Sequence, residues 1–207
     1  MLGRYQNGDT LVEVLFAITV FSLVVVGSLV IMNQGVAAAQ RSIEISSVRH
    51  QIDAQAETLR FMHDSYSAAR QAGTTFNLSD GVTSPAEEWQ RMISSGSMVN
   101  SATAFNTNDA SARRCQAIPS AGFVVDPVNV RFINSGSILT QSQTYSQLVY
   151  SGSVLSAARG IWIEAVRSAP VANNTGYIDF HIRACWDTVG MNVPMRIGTI
   201  VRLYDQR

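Results

Sequence analysis

An uninterrupted run of apolar residues near the start of the chain is its strongest hydrophobic pattern. No charged residue occurs from Val14 to Met32. Together with Leu11 and Val12 the run is about 22 residues, or about 33 Å of helix, which is enough to cross a lipid bilayer. One acid, Glu13, lies inside the first turn of this run. Because an ionisable group in lipid costs a few kcal/mol, we expect Glu13 to have a partner.

A second apolar pattern follows, and its period is that of one helix face. Apolar residues recur at steps of three and four, while most charged residues lie off this stripe: Ile45, Val48, Ile52, Ala56, Leu59, Met62 and Tyr66. Glycine should end the helix near Ala72–Gly73. We therefore predict one helix of about 60 residues, or about 90 Å. The part of this helix over 9–33 is apolar enough to lie in a membrane. The amphipathic part over 34–73 can pack one face against a sheet.

Residues 74–121 are rich in small polar side chains and predict a loop region with one short helix over 85–95. Ser84, Pro85 and Glu87 form a capping box with proline at the first helical position. Trp89, Met92 and Ile93 supply the apolar face of this helix, and Gly96 follows it.

From Gly122 onward the pattern changes to that of strands. Residues 178–186 alternate between apolar and polar, which is typical of a half-buried strand, and residues 197–204 do the same. Ile161–Val166 is apolar on both faces except at Glu164, as expected of a central strand. Shorter candidates are 123–125, 128–133 and 147–150, with Asp126–Pro127 as a break. The fold class predicted is α+β, with the long N-terminal helix packed on one antiparallel sheet over 122–207.

Composition narrows the classes of function. The formal net charge is zero, with 15 cations against 15 anions, and every cation is arginine. A neutral chain offers no electrostatic argument for binding nucleic acid. After the apolar segment about 170 residues remain, enough for one modest domain with its own core.

The chain has two cysteines, Cys115 and Cys185, and no C-x-x-C motif. Two cysteines beyond a membrane segment fit one disulfide in an oxidising space, and two buried free thiols are the alternative. Cys185 alternates with core residues of its strand and should point to the outer face. The loop that carries Cys115 could fold over that face, which favours the bridge.

No enzyme signature occurs in the chain. Phosphate loops, H-E-x-x-H and G-x-S-x-G are all missing. The three histidines, His50, His63 and His181, lack metal-ligand spacing and are interpreted as solvated side chains. We therefore predict a protein that is not an enzyme and needs no metal or cofactor.

The residues around Gly8 carry a resemblance to a known family. Gly8 is followed by Asp9-Thr10-Leu11-Val12-Glu13 and then the apolar run, and only a short polar leader over 1–8 precedes the motif. This arrangement resembles the N-terminus of type IV prepilins and pseudopilins. The resemblance implies that a prepilin peptidase cuts between Gly8 and Asp9. It also implies that Asp9, at a position where the family usually has an aromatic residue or Met, becomes the residue open to N-methylation.

The same resemblance implies a structural role in a filament. The helix over 9–33 would form the filament core, and Glu13 would meet the N-terminal amine of its own or a neighbouring subunit during assembly. The implied partners are the peptidase, other pilin subunits, a membrane assembly platform and, before assembly, lipid.

Arg4 favours a leader that stays inside, so the C-terminal bulk should lie outside the cytoplasmic membrane. The final location would be an extracellular pilus or a periplasmic pseudopilus. Two alternatives remain open at the level of sequence. One is a membrane anchor that carries an extracytoplasmic binding module, and the other is a secretory signal peptide cleaved after Ala37-Ala38-Ala39.

Overall fold

The computed structural model describes residues 9–76, 84–100, 115–134, 136–142, 144–168, 176–188 and 190–204, with side chains from Leu11 onward. The predicted leader over 1–8 lies outside the described residues. The chain divides into two compact units, and the boundary falls between Ile43 and Glu44.

One helix crosses that boundary. Helix α1 runs from Asp9 to Gln71 and has 63 residues, close to the predicted span. It ends where expected, because Gly73 adopts a positive φ of 73° just beyond it. The large apolar side chains of α1 in the first unit are exposed. In the second unit the predicted apolar stripe of α1 packs into the core, and Val48, Leu59 and Met62 are fully buried.

Helix α2, Pro85–Ser94, confirms the predicted capping box. The side chain of Ser84 accepts a hydrogen bond from the Glu87 backbone N–H, and the Glu87 carboxylate accepts one from the Ser84 N–H at 3.1 Å. Trp89 and Met92 bury the apolar face of α2.

The β structure consists of nine strands in the described ranges: β1 Met98–Val99, β2 Val124–Asp126, β3 Arg131–Ile133, β4 Leu139–Thr140, β5 Gln147–Ser151, β6 Val154–Arg159, β7 Ile161–Ser168, β8 Tyr177–Trp186 and β9 Met195–Tyr204. The largest sheet has the order β1-β7-β8-β9. The others are a β2-β3 pair and a sheet of order β4-β6-β5.

The sheets confirm the α+β class and correct its detail. Antiparallel pairing dominates, with Ala165 opposite Phe180 and Phe180 opposite Val201 in the main sheet. The strands form three sheets instead of one, and β1 and β4 pair in parallel with their neighbours. The predicted strand over 128–133 begins only at Arg131, because residues 127–130 form a turn in which Val130 has a φ of 52°.

A single core lies between the second half of α1 and the sheets. Its members come from both helices and from most strands, and the largest are Leu59, Met62, Trp89, Phe123, Phe180 and Trp186. Gly160 lets β6 and β7 follow one another closely. It has a φ of 63°, and an added Cβ would collide with the carbonyl oxygen of Cys185.

Two glutamines of α1 complete strand backbones. The side chain of Gln55 is fully buried, accepts from the N–H of Val125 at 2.9 Å and donates to its carbonyl. Gln51 accepts from the N–H of Leu148 at 2.7 Å. These bonds satisfy backbone groups that buried strand segments must pair, and they join α1 to two of the sheets.

Candidate functional site

The first candidate site is the start of α1. The described part of α1 starts at Asp9, and the sequence places the predicted cut just before this residue. Gly8 lies outside the described residues, and so does the side chain of Asp9. Glu13 follows one turn later, on the solvent-exposed surface of the helix.

The apolar part of α1 is exposed along its whole length. Its large hydrophobic side chains from Leu11 to Met32 are between 41% and 73% exposed. The polar side chains of this stretch bond to their own helix: Thr19 to the carbonyl of Phe16, Ser22 to Ile18 and Ser28 to Val24, all at 2.7–2.8 Å. Such bonds suit a helix in lipid, where no water satisfies a hydroxyl. The helix is long and apolar enough to span a membrane.

The second candidate site lies on the outer face of the main sheet, beside the disulfide. Cys115 and Cys185 are bonded, with their Cα atoms 5.6 Å apart. The bridge confirms the predicted pairing and the predicted orientation of Cys185. Cys185 is buried, and Gln116, the residue after Cys115, lies beside it in the lining of one pocket.

A pocket of about 340 Å³ adjoins this bridge. Side chains of β7, β8 and β9 line it together with Gln116, and its principal members are Trp162, His181, Arg183, Arg196 and Ile200. A carboxylate lies beneath it: Glu164 is fully buried, accepts from the Trp162 indole N–H at 2.7 Å and lies 3.0 Å from the Arg183 guanidinium. Arg183 keeps about a third of its side chain exposed. Arg183 and Arg196 both line the pocket, and no acid occurs among the described residues that line it.

Two ionisable groups of this face, His181 and Asp179, have lowered pKa values for different reasons. Burial, reinforced by the nearby charge of Arg183, lowers the pKa of His181 below its usual value. The imidazole is therefore mostly neutral at pH 7. The Asp179 carboxylate accepts two hydrogen bonds from Arg202, which lower the pKa of Asp179. Arg202 also lies 4.0 Å from the centre of the Tyr177 ring.

One sequence prediction about histidines is wrong. His63 is not solvated: it is 9% exposed, its Nε2 lies 2.9 Å from the carbonyl oxygen of Tyr204, and its ring packs edge-on against Trp89. The helical pattern already hinted at this, because His63 is adjacent to Met62 on the edge of the apolar stripe. His50 is exposed and His181 is half-buried. Among the described residues, no group of three or more His, Cys, Asp or Glu side chains could hold a metal ion.

Glu164 and the glutamines of α1 are among the buried polar residues whose roles the sequence did not disclose. The one available signal was an acid within a strand that is apolar on both faces. Comparison of the chain with protein-family models, curated proteins and solved structures found no match. The features that bear on function are therefore those of the chain itself. One is the exposed apolar part of α1, which carries Glu13 near its N-terminal end. The other is the outer face of the main sheet, which has a disulfide and is lined with arginine.

Proposed function

We propose that this chain is a structural subunit of a type IV pilus-like filament, as a pilin, minor pilin or pseudopilin. The observation that carries the proposal is the position of Glu13, alone among apolar residues at the start of an exposed apolar helix that Gly8 and Asp9 introduce. A prepilin peptidase would cut after Gly8 and leave that helix attached to the protein.

The exposed apolar surface of α1 supports a helix that first lies in lipid and then packs against the helices of other subunits. A contiguous apolar surface of this extent is unfavourable in water and needs lipid or protein to cover it. Once other apolar helices surround it, a single unpaired carboxylate would be costly. Cleavage after Gly8 creates an α-amino group on Asp9, four residues from Glu13, and this amine or that of a neighbouring subunit would be its partner.

Pairing between subunits would then set the axial position of each incoming helix. A helix in the wrong position would leave both an amine and a carboxylate without partners, whereas the correct position satisfies both. Asp9 places a second carboxylate beside the amine and competes with Glu13 for it. N-methylation of Asp9 would keep the positive charge and therefore the pairing.

The first experiment determines where the chain is cut. Intact mass and N-terminal sequencing of the membrane-associated protein should find Asp9 as the first residue. Replacing Gly8 with a bulky residue should leave the full-length chain in the membrane, because the peptidase requires a small residue there. A chain that begins at Gln40 would instead identify a secretory signal and contradict the proposal.

The second experiment separates a filament subunit from a plain membrane anchor. Glu13→Val should leave expression, membrane insertion and the folded second unit intact, while incorporation into sheared surface filaments falls sharply. Val12→Ala, a neighbouring change that keeps the acid, is the matched control and should assemble normally. If an uncleaved integral protein is found and no filament fraction contains the chain, the membrane-anchored binding module is the better description.

A further inference from the structure

Residues 115–122, called the strap below, cross the outer face of the main sheet. At one end Cys115 is bonded to Cys185, whose side chain lies on the outer face of β8. Just beyond the other end, Phe123 pairs with Ile163 of β7 through two backbone hydrogen bonds, of 3.1 and 2.7 Å. Both backbone groups of such a residue point to the same side of an antiparallel strand, and β8 pairs along the other side of β7. The strap therefore starts over β8 and passes over β7 to its far edge.

The strap lies against the Trp162 side chain. Trp162 is opposite Arg183 on the outer face of the sheet, yet it is only 2% exposed. A Cβ atom added at Gly122 would lie 3.2 Å from Cγ2 of Ile118 and 3.7 Å from Cδ1 of Trp162, so both side chains reach this end of the strap. Near the other end, Gln116 lines the same pocket as Trp162. The strap thus shields the indole from solvent on its outer side.

Few contacts other than the disulfide hold the strap in place. It belongs to none of the described helices and strands. The Gly122 N–H donates to the Pro119 carbonyl at 2.8 Å, which closes a turn within the strap itself. The side chain of Gln141 donates to the Gln116 carbonyl at 3.1 Å, whereas the Gln116 amide nitrogen is buried without a hydrogen-bond partner, and Ile118 is only half-buried. A segment with so few bonded groups opens more readily than a paired strand.

The two cysteines of the bond differ in their surroundings. Cys115 is half-buried, whereas Cys185 is only 2% exposed. Arg196 lies directly opposite Cys185 on β9, and Arg183 is two residues before it on the same face of β8. Positive charge beside a cysteine stabilises its thiolate, and a more stable thiolate is the better leaving group. An incoming thiolate should therefore attack Cys115 and displace Cys185.

We propose that the Cys115–Cys185 bond is a redox switch: its reduction by a dithiol protein releases the strap from the outer face while the core of the second unit stays folded. A thiolate of the reductant bonds to the Cys115 sulfur, the bond between the two cysteines breaks, and its electron pair passes to the Cys185 sulfur. The second thiol of the reductant then attacks the mixed disulfide and releases Cys115. The reductant leaves as a disulfide, and its two protons and two electrons remain on the two cysteines as thiols.

Release of the strap changes what the outer face presents to its surroundings. Glu164 is fully buried and accepts from the Trp162 indole N–H at 2.7 Å. Once the strap leaves, the indole, this carboxylate and its ion-pair partner Arg183 become accessible together. The redox state of one bond thus sets which side chains a molecule on this face would contact. The inference is independent of the filament proposal, because it depends only on the second unit.

The test uses the full chain in detergent micelles, with fluorine-labelled tryptophan at all three tryptophan positions. Fluorine NMR follows each indole, and single Trp→Phe variants assign the signals. Reduction with dithiothreitol should shift the Trp162 signal and make it sensitive to exchange of H2O for D2O. Trp89 and Trp186 belong to the core and are internal controls, so their signals should not change. An unchanged Trp162 signal, or loss of the native signals of all three residues, would overturn the proposal.

A variant without the bond tests the released state directly. Cys115→Ser/Cys185→Ser should give the fluorine spectrum of the reduced protein, and dithiothreitol should not change that spectrum further. This variant removes any effect of the reductant on other parts of the chain. If its Trp162 signal matches that of the oxidised parent protein, the strap stays in place without the bond and the proposal is wrong.

A charge variant tests the direction of the exchange. Arg196→Gln should slow reduction by dithiothreitol about threefold, because the departing Cys185 thiolate loses a neighbouring cation. Arg70→Gln is the matched control, since Arg70 is exposed at the end of α1, and it should be reduced at the rate of the parent protein. Trapping with a monothiol should also leave the mixed disulfide on Cys115. Equal reduction rates of the two variants, or trapping on Cys185, would contradict the proposed path of reduction.

Discussion

Single polar residues account for much of how the second unit is held together. Gln55 and Glu164 are both fully buried. Gln55 pairs with both backbone groups of Val125, and Glu164 pairs with Trp162 and Arg183. A buried polar group is tolerated only when such partners are present, so each of these side chains specifies which segments lie beside it.

The contacts of Glu164 lead to a prediction about stability. Glu164→Ala should lower the free energy of unfolding by about 1–3 kcal/mol, because the buried indole N–H of Trp162 loses its acceptor. Arg183 is partly exposed and can turn toward water, so the loss of its ion pair adds less to the destabilisation. Glu164→Gln keeps an acceptor for Trp162 and should cost less than Glu164→Ala. Urea unfolding of both variants is the measurement, and equal losses would show that the indole contact is unimportant.

The pair of Asp179 and Arg202 predicts a pH dependence. Arg202 lowers the pKa of Asp179 in the folded protein below the ordinary value of 3.8. The pair therefore stabilises the fold above that ordinary value, and the contribution is lost as the pH falls through the lowered pKa. Asp179→Asn should be less stable than the parent protein near neutral pH, and the difference should disappear in strong acid. Thermal unfolding across this pH range tests the prediction, and a difference that stays constant would contradict it.

At the scale of elements, helix α1 has two kinds of surface on one continuous backbone. Its side chains up to Met32 are exposed and almost entirely apolar, whereas from Val48 onward an apolar stripe is buried under the sheets. On its exposed side this part of the helix is polar, and Glu57 and Arg60 form an ion pair there, three residues apart. Helix α2 is short and depends more on its ends, since ten residues form few internal hydrogen bonds.

The capping box of α2 is therefore a sensitive point. Ser84→Ala removes the acceptor for the Glu87 N–H and should lower the stability of the second unit by about 1 kcal/mol. Ser84→Thr keeps a hydroxyl acceptor and should retain most of that stability, so this variant is the matched control. Denaturant unfolding should show a lower midpoint with an unchanged slope for Ser84→Ala. A loss of similar size in both variants would indicate that packing, not the cap, is responsible.

At the scale of the whole molecule, the two units have opposite distributions of apolar surface. The large apolar side chains of the first unit are exposed, whereas the second unit encloses a core to which both helices and most strands contribute. Unfolding measurements therefore report on the second unit. In that unit the bond between Cys115 and Cys185 joins positions 70 residues apart.

Loss of this disulfide should be costly, because a cross-link limits the freedom of the unfolded chain. Reduction should lower the free energy of unfolding by about 2–5 kcal/mol. The double variant Cys115→Ser/Cys185→Ser should behave like the reduced protein and should no longer respond to reductant. Thiol labelling of denatured, unreduced protein should detect no free thiol, and two labelled cysteines per chain would contradict the bond.

The sequence by itself determined the features that depend on local periodicity. The span of α1, the cap of α2 and the alternation along β8 and β9 were all predicted, because apolar spacing and capping residues act over a few neighbouring positions. The α+β class followed from the same patterns. The cleavage site after Gly8 rests instead on a resemblance to prepilins and is a proposal.

Only the tertiary structure decided which distant segments meet. Strands β1 and β4 have two residues each, too few to show a period, and they exist through parallel pairing with β7 and β6. Burial of His63, pairing of Glu164 and the place of β9 at the end of the order β1-β7-β8-β9 likewise depend on partners far along the chain. A local pattern states which residues prefer to be buried, whereas packing geometry decides what covers them.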